Sequence, residues 1–146
     1  MDKDELLWGL YEEHVTQARQ HENQRERMTA LIVAIAAGVV AFASQTDLAR
    51  SELLLTVPLI LLGIFGAAFS RKHYERNRMH VSIAASYLTR LDPEIYGPRQ
   101  VGESRHKDDP KYRRSYRWRL HHFWEGLSWA VAILGAVASA VIWSNG

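Results

Sequence analysis

Three uncharged, mostly apolar runs punctuate the chain, at 28–46, 53–70 and 126–146. Each is close to the ~20 residues a helix needs to cross a ~30 Å hydrocarbon core. A short polar turn, 47–52, joins the first two, which predicts a transmembrane hairpin. The third run predicts a further span. The fold class is therefore read as all-α: an integral membrane protein with three transmembrane helices.

The flanks of the hairpin carry a helical period of their own. Leu7, Tyr11, His14, Ala18, His21, Arg25 and Met28 recur at spacings of three and four, which is one helical face. Apart from Gly9 nothing in 4–27 breaks a helix, so segment 1–27 is expected to run straight into span one. The result is a rod of about 40 residues, ~60 Å long at 1.5 Å per residue. Residues 71–91 hold no Gly or Pro, and His73, Asn77, His80, Ala84, Tyr87 and Leu91 share a face. Span two should continue through them to Asp92-Pro93, where the helix stops. At its other end Ser51-Glu52 reads as an N-cap with a favourable first-turn acid. Pro58 comes early enough in the span to be tolerated. With so short an outer turn, the two rods must run antiparallel beyond the membrane as well. Counting back from the centre of the whole polar segment between the spans, 45–52, sets His21 near the level of Arg76 and His14 near Ile83.

Three prolines and two glycines exclude a regular helix from 92–116, which reads as a long loop of the kind that often carries function. The basic, aromatic stretch 117–125 then leads into span three.

Charge turns this layout into a topology. Of the eighteen Lys and Arg residues, thirteen fall in 71–125, four in 1–27 and one, Arg50, in the outer turn. Basic segments stay cytoplasmic, so the N-terminus is expected inside and the C-terminus outside. Spans one and two then extend into the cytoplasm as long antiparallel helices. Trp124 and Trp129 near one end of span three, with Trp143 at the other, fit interfacial belts. The acidic start, Met1–Glu5, does not read as a signal peptide. The absence of cysteine excludes disulfide and thiolate chemistry.

Small residues recur at four-residue steps in every span: Ala30, Ala34 and Gly38; Gly63 and Ala67; Ser128, Ala132 and Ala136. In lipid such stripes let helix backbones approach closely. They serve either packing within one subunit or a seam between copies, and a homo-oligomer is expected.

Histidine is the one abundant chemical group. His14, His21, His73 and His80 lie on the cytoplasmic helix faces, where imidazoles can sense pH or bind metal. Within each helix the pairs are seven apart, ~10 Å along the axis, against the one-turn spacing of an in-helix chelate. A metal site would need several helices, for example His21, His73 and Glu22 or Glu75. Packing of polar residues between helices is the commoner role, so no metal or other cofactor is expected. Arg99, Arg105 and Lys107 in the loop join the four histidines as candidates for sensing an anionic signal or a partner. Lys111, Arg113, Arg114, Arg117 and Arg119, interleaved with aromatics, fit anionic lipid headgroups better than nucleic acid, at ~1 kcal/mol per basic residue near the surface. Arg117 and His122 match the Arg-x4-His spacing of a class of helical ribonucleases, but such a match comes readily in a basic, histidine-rich stretch at the membrane edge. No acid or base lies inside any span, which disfavours a pump or secondary transporter. No Walker A, GxGxxG, HExxH or GxSxG motif occurs, so an enzyme is disfavoured too.

The charged helix YEEHVTQARQHENQRERM, the small-rich span after it, the short outer turn, the second span and the basic helix RKHYERNRMH together resemble SLATT-type small membrane effectors of bacterial conflict systems. The resemblance covers about residues 5–91, and the third span departs from that two-span pattern. It implies a bacterial inner-membrane protein that homo-oligomerises and permeabilises the membrane in response to a cytoplasmic sensor protein or nucleotide signal. The alternative is a scaffold subunit that holds a cytoplasmic partner through 92–116.

Overall fold

The computed structural model describes residues 2–45, 50–94 and 120–145. Among them the architecture is all-helical: α1 spans Lys3–Ala43, α2 spans Leu53–Leu91 and α3 spans Leu120–Asn145. Each of the three is long and apolar enough to cross a membrane. The charged and apolar parts of α1 form one unbroken helix of 41 residues, and those of α2 one of 39.

The helix ends follow from local chemistry. At the end of α1 the side chains of Ser44 and Gln45 both donate to the Ala41 carbonyl, at 2.8 and 3.0 Å. They thereby occupy a carbonyl that the ending helix leaves without an intrahelical donor. Residues 50–52 form a single 3-10 turn that leads directly into α2. At the far end of α2 the Glu94 amide donates to the Asp92 carboxylate at 3.0 Å, an Asx turn around the proline that cannot continue the helix. Helix α3 starts at Leu120, so the lead-in to the third apolar run is itself helical.

The early restart at Arg50 corrects the register. The end of α1 at Ala43 and the start of the 3-10 turn at Arg50 are centred between residues 46 and 47, about two residues earlier than the centre of 45–52. His21 accordingly meets His73 rather than Arg76, and His14 meets His80 rather than Ile83.

The chain divides into two compact units. In one, α1 up to Asn23 packs antiparallel on α2 from His73, with Leu7, Ala18 and Ala84 buried. The face residues Tyr11, His14, His21, Asn77, His80 and Tyr87 are half-buried along the same seam.

The other unit holds 24–72 with 121–146. Its apolar core is Ile32, Ala36, Leu59 and Val131, with Met28, Val39 and Leu62 against it. Much of the remaining interior is small or hydroxylated. Ser128 and Ala132 are buried against Gly63, where an added Cβ would meet the Ala132 amide nitrogen and lie 2.7 Å from the Ala132 Cβ. A Cβ on Gly66 would strike the Ile32 side chain, and one on Gly135 would lie 2.9 Å from the Thr56 carbonyl oxygen. Gly63 and Gly135 need glycine because facing backbone atoms lie within a side chain's width, whereas Gly66 faces the side chains of Ile32 and Ser128. The hydroxyls of Ser139 and Thr56 meet across α2 and α3 at 2.8 Å, and Ser139 is equally close to the Gly135 carbonyl. Interhelical bonds of this kind contribute ~0.6 kcal/mol on average in bilayers. Ser139→Ala is therefore expected to lower the unfolding midpoint in denaturing detergent by a small, measurable amount, and Thr56→Val to match it. A loss from the double variant equal to the sum of the two singles would show that the hydroxyls do not act as a pair.

Candidate functional site

Two helices that lie antiparallel, each with histidines seven residues apart on its inner face, bring those histidines together at two levels. His14 Nδ1 lies 2.8 Å from His80 Nδ1, and His21 Nδ1 lies 3.1 Å from His73 Nδ1. Between the levels the rings of His21 and His80 stack with centroids 5.5 Å apart. Tyr87 stacks on His14 at 5.8 Å and closes the far end. The order Tyr87, His14, His80, His21, His73 is a continuous file of five rings. Asn77 fixes the register beside it by donating from Nδ2 to the Ala18 carbonyl at 2.8 Å.

The geometry constrains the protons. A nitrogen–nitrogen contact of 2.8–3.1 Å is a hydrogen bond only if one ring carries a proton at Nδ1 and the other presents a lone pair. A doubly protonated pair would set two N–H groups and two positive charges against each other. His80 feels this most: burial pushes its imidazole below the ordinary histidine value, and the charges of His14, His21 and Arg76 push it further. Glu13 opposes them, more weakly. Among the described residues no three His, Asp or Glu side chains converge in a way that would hold a metal ion.

The same helix pair carries a groove of about 570 Å³, lined by Tyr11, Val15, Arg19, Asn77 and Val81 among others. Its walls are mainly apolar, with Arg19, Glu22 and Asn77 as polar groups on it.

The other candidate residues separate. Ala30, Ala34 and Gly38 lie on the exposed side of α1, and a Cβ on Gly38 would meet nothing within 4 Å. Gly63, Ala67, Ser128 and Ala132 are buried within the chain, whereas Ala136 is exposed. Arg99, Arg105, Lys107, Lys111, Arg113, Arg114, Arg117 and Arg119 lie outside the described residues. Sequence spacing overlooked Gly66, Gly135 and Ser139 as packing residues, and although it placed Arg25 on the helical face and Glu52 at the start of span two, it did not expect either to be buried. For Arg25 a signal existed, since it lies on the inner face of α1 with His14 and His21.

Comparison with family models, curated proteins and solved structures finds no match to the chain.

Proposed function

We propose that the chain is a small effector of the bacterial inner membrane that homo-oligomerises and permeabilises the bilayer when a cytoplasmic signal acts on its helical extensions. One observation carries the reading. The only three-membered small stripe of α1, Ala30, Ala34 and Gly38, faces away from the chain's own core. A surface shaped for close backbone approach then lies open to a second copy.

The distribution of side chains supports a lipid setting. Leu54, Leu61 and Trp143 are 79, 65 and 69% exposed, while Ser128 and Ser70 are 0 and 1% exposed. Beside an apolar core of Ile32, Leu59 and Val131, large apolar groups lie outside while hydroxyls and small residues lie inside, an arrangement favoured where the solvent is as apolar as leucine. In the proposed topology α1 and α2 reach into the cytoplasm, the N-terminus lies inside and the C-terminus outside. Anionic lipid headgroups are the expected contacts of the basic stretch 111–119. The likeness of residues 5–91 to SLATT-type effectors points the same way. The oligomer would leak through contacts between spans, with apolar side chains closing the path by dewetting at rest.

Induced expression in bacterial cells carrying a membrane-potential dye is expected to collapse the potential and arrest growth. The purified chain in nanodiscs is expected to be oligomeric. A monomer at every lipid ratio, with potential and growth unchanged, would remove the proposal. A stoichiometric soluble partner recovered in mild detergent, without homo-oligomer, would replace it with the scaffold reading.

A further inference from the structure

We infer that the four-histidine ladder is a proton-binding switch: cytoplasmic acidification drives α1 and α2 apart along His14, His21, His73 and His80. The argument is one of counting. Closed, each Nδ1–Nδ1 pair holds one bridging proton. A first extra proton can sit on an outer Nε2 and keep that bridge, but a second would put N–H on both facing Nδ1 atoms, so the closed pair carries at most one positive charge. Opened to water, both rings of a pair are free to carry a proton on each nitrogen. Opening therefore takes up protons, and the two pairs respond together because the His21 and His80 rings stack between them.

At His80 the balance of surrounding charge adds to this. The charged groups acting on His80 are Arg76 from its own helix and Glu13 from α1, with His14 and His21 facing it from α1. Only Glu13 favours the charged ring. Tyr87 stacks on His14. The sign follows. A histidine whose closed-state value is depressed supports the closed form fully above about pH 6.5 and loses that support as pH falls below it. If each pair must open to accept its second extra proton, one from each pair, two protons are linked to opening. Each linked proton changes the opening constant by up to tenfold per pH unit, so the ladder gives up to ~100-fold per unit.

Naming protons as the signal of the effector rests on the function proposed above; the opening of the helix pair does not. The chain has no cysteine, so Glu12→Cys with Ser82→Cys, both exposed positions, gives two unique sites for spin labels. The full-length protein is measured in nanodiscs with chelator present, diluted with unlabelled chain. Between pH 7.5 and 5.0 the label distance is expected to shift from one narrow population to a longer one, with a two-proton slope. Replacing one pair, His14→Gln with His80→Gln, should reduce the slope to at most ~10-fold per unit. Replacing the other, His21→Gln with His73→Gln, should do the same. A single population throughout in the natural chain, or a full two-proton slope in either pair variant, overturns the switch. Dye release from vesicles carrying the same protein separates the two readings. Opening without release keeps the switch and removes the effector, whereas release that ignores pH removes protons as the effector's signal and leaves the opening to be decided by the label distance.

Discussion

Replacing Gly63 with leucine is expected to detach α3 from α2 and to leave little folded protein in mild detergent. A Cβ there would run into the Ala132 backbone nitrogen and sit 2.7 Å from the Ser128 carbonyl oxygen. A flexible side chain could rotate away, but backbone atoms cannot, so the helices must move apart. Separation at Gly63 also loosens the neighbouring close approaches, Gly66 on Ser128 and Gly135 on Leu59 and Ile60. Ordinary overpacking costs about 1–3 kcal/mol at a site with side-chain neighbours. A clash with main chain, propagated along two helices, should exceed that range and consume much of the ~5–15 kcal/mol that holds a typical domain together. Even Gly63→Ala should destabilise. Gly126→Ala in α3 should not, because nothing lies within 4 Å of its added methyl. There alanine should add up to ~1 kcal/mol of helix stability. The measurement is the unfolding midpoint in a denaturing-detergent titration. An unchanged midpoint for Gly63→Leu would mean that α2 and α3 do not pack through this glycine.

That contrast shows what could be read from residues alone and what could not. The three apolar runs and the two long rods were legible because charge and proline are strong punctuation: 28–46 and 53–70 lack charge, and Asp92-Pro93 ends α2. The histidine faces were legible because spacings of three and four repeat through His14, Ala18 and His21 and through His73, Asn77 and His80. Their register was not, because it depends on where helix restarts after the turn, and a 3-10 turn at Arg50–Glu52 moved that point. The orientation of the small stripes was equally hidden. Strict four-residue steps drift by about 40° each around a helix of 3.6 residues per turn. Ala136 has therefore swung away from the contact that Ser128 and Ala132 make. The buried line of α3 alternates its steps instead, through Ser128, Ala132, Gly135, Ser139 and Ile142, and that of α1 runs through Arg25, Thr29, Ile32 and Ala36. Only the position of the facing helix decides which of several small-residue lines is used, and spacing within one helix does not contain it.

A leucine at Gly38 is expected to do the opposite of a leucine at Gly63: the subunit stays folded and the assembly falls apart. Within the chain the position is open, with nothing within 4 Å of an added Cβ, and leucine is a better helix former than glycine by up to ~1 kcal/mol. Folding of the single subunit should therefore be unchanged or slightly improved. Between copies the same side chain would stand on the line of Ala30 and Ala34, where two backbones must approach closely to gain van der Waals contact. Association should weaken at least tenfold, ~1.4 kcal/mol, read as a shift from oligomer to monomer in nanodiscs across a dilution series. Loss of membrane potential on expression should weaken in step. Ala34→Leu should act in the same direction, and the pair should lose less than the sum of the two, since the first substitution already holds the helices apart. Gly126→Leu supplies the control, because it adds the same bulk at an exposed glycine away from the α1 stripe. If Gly38→Leu and Gly126→Leu assemble and leak alike, the stripe on α1 is a lipid-facing surface, and the proposed effector loses the seam through which its copies would meet.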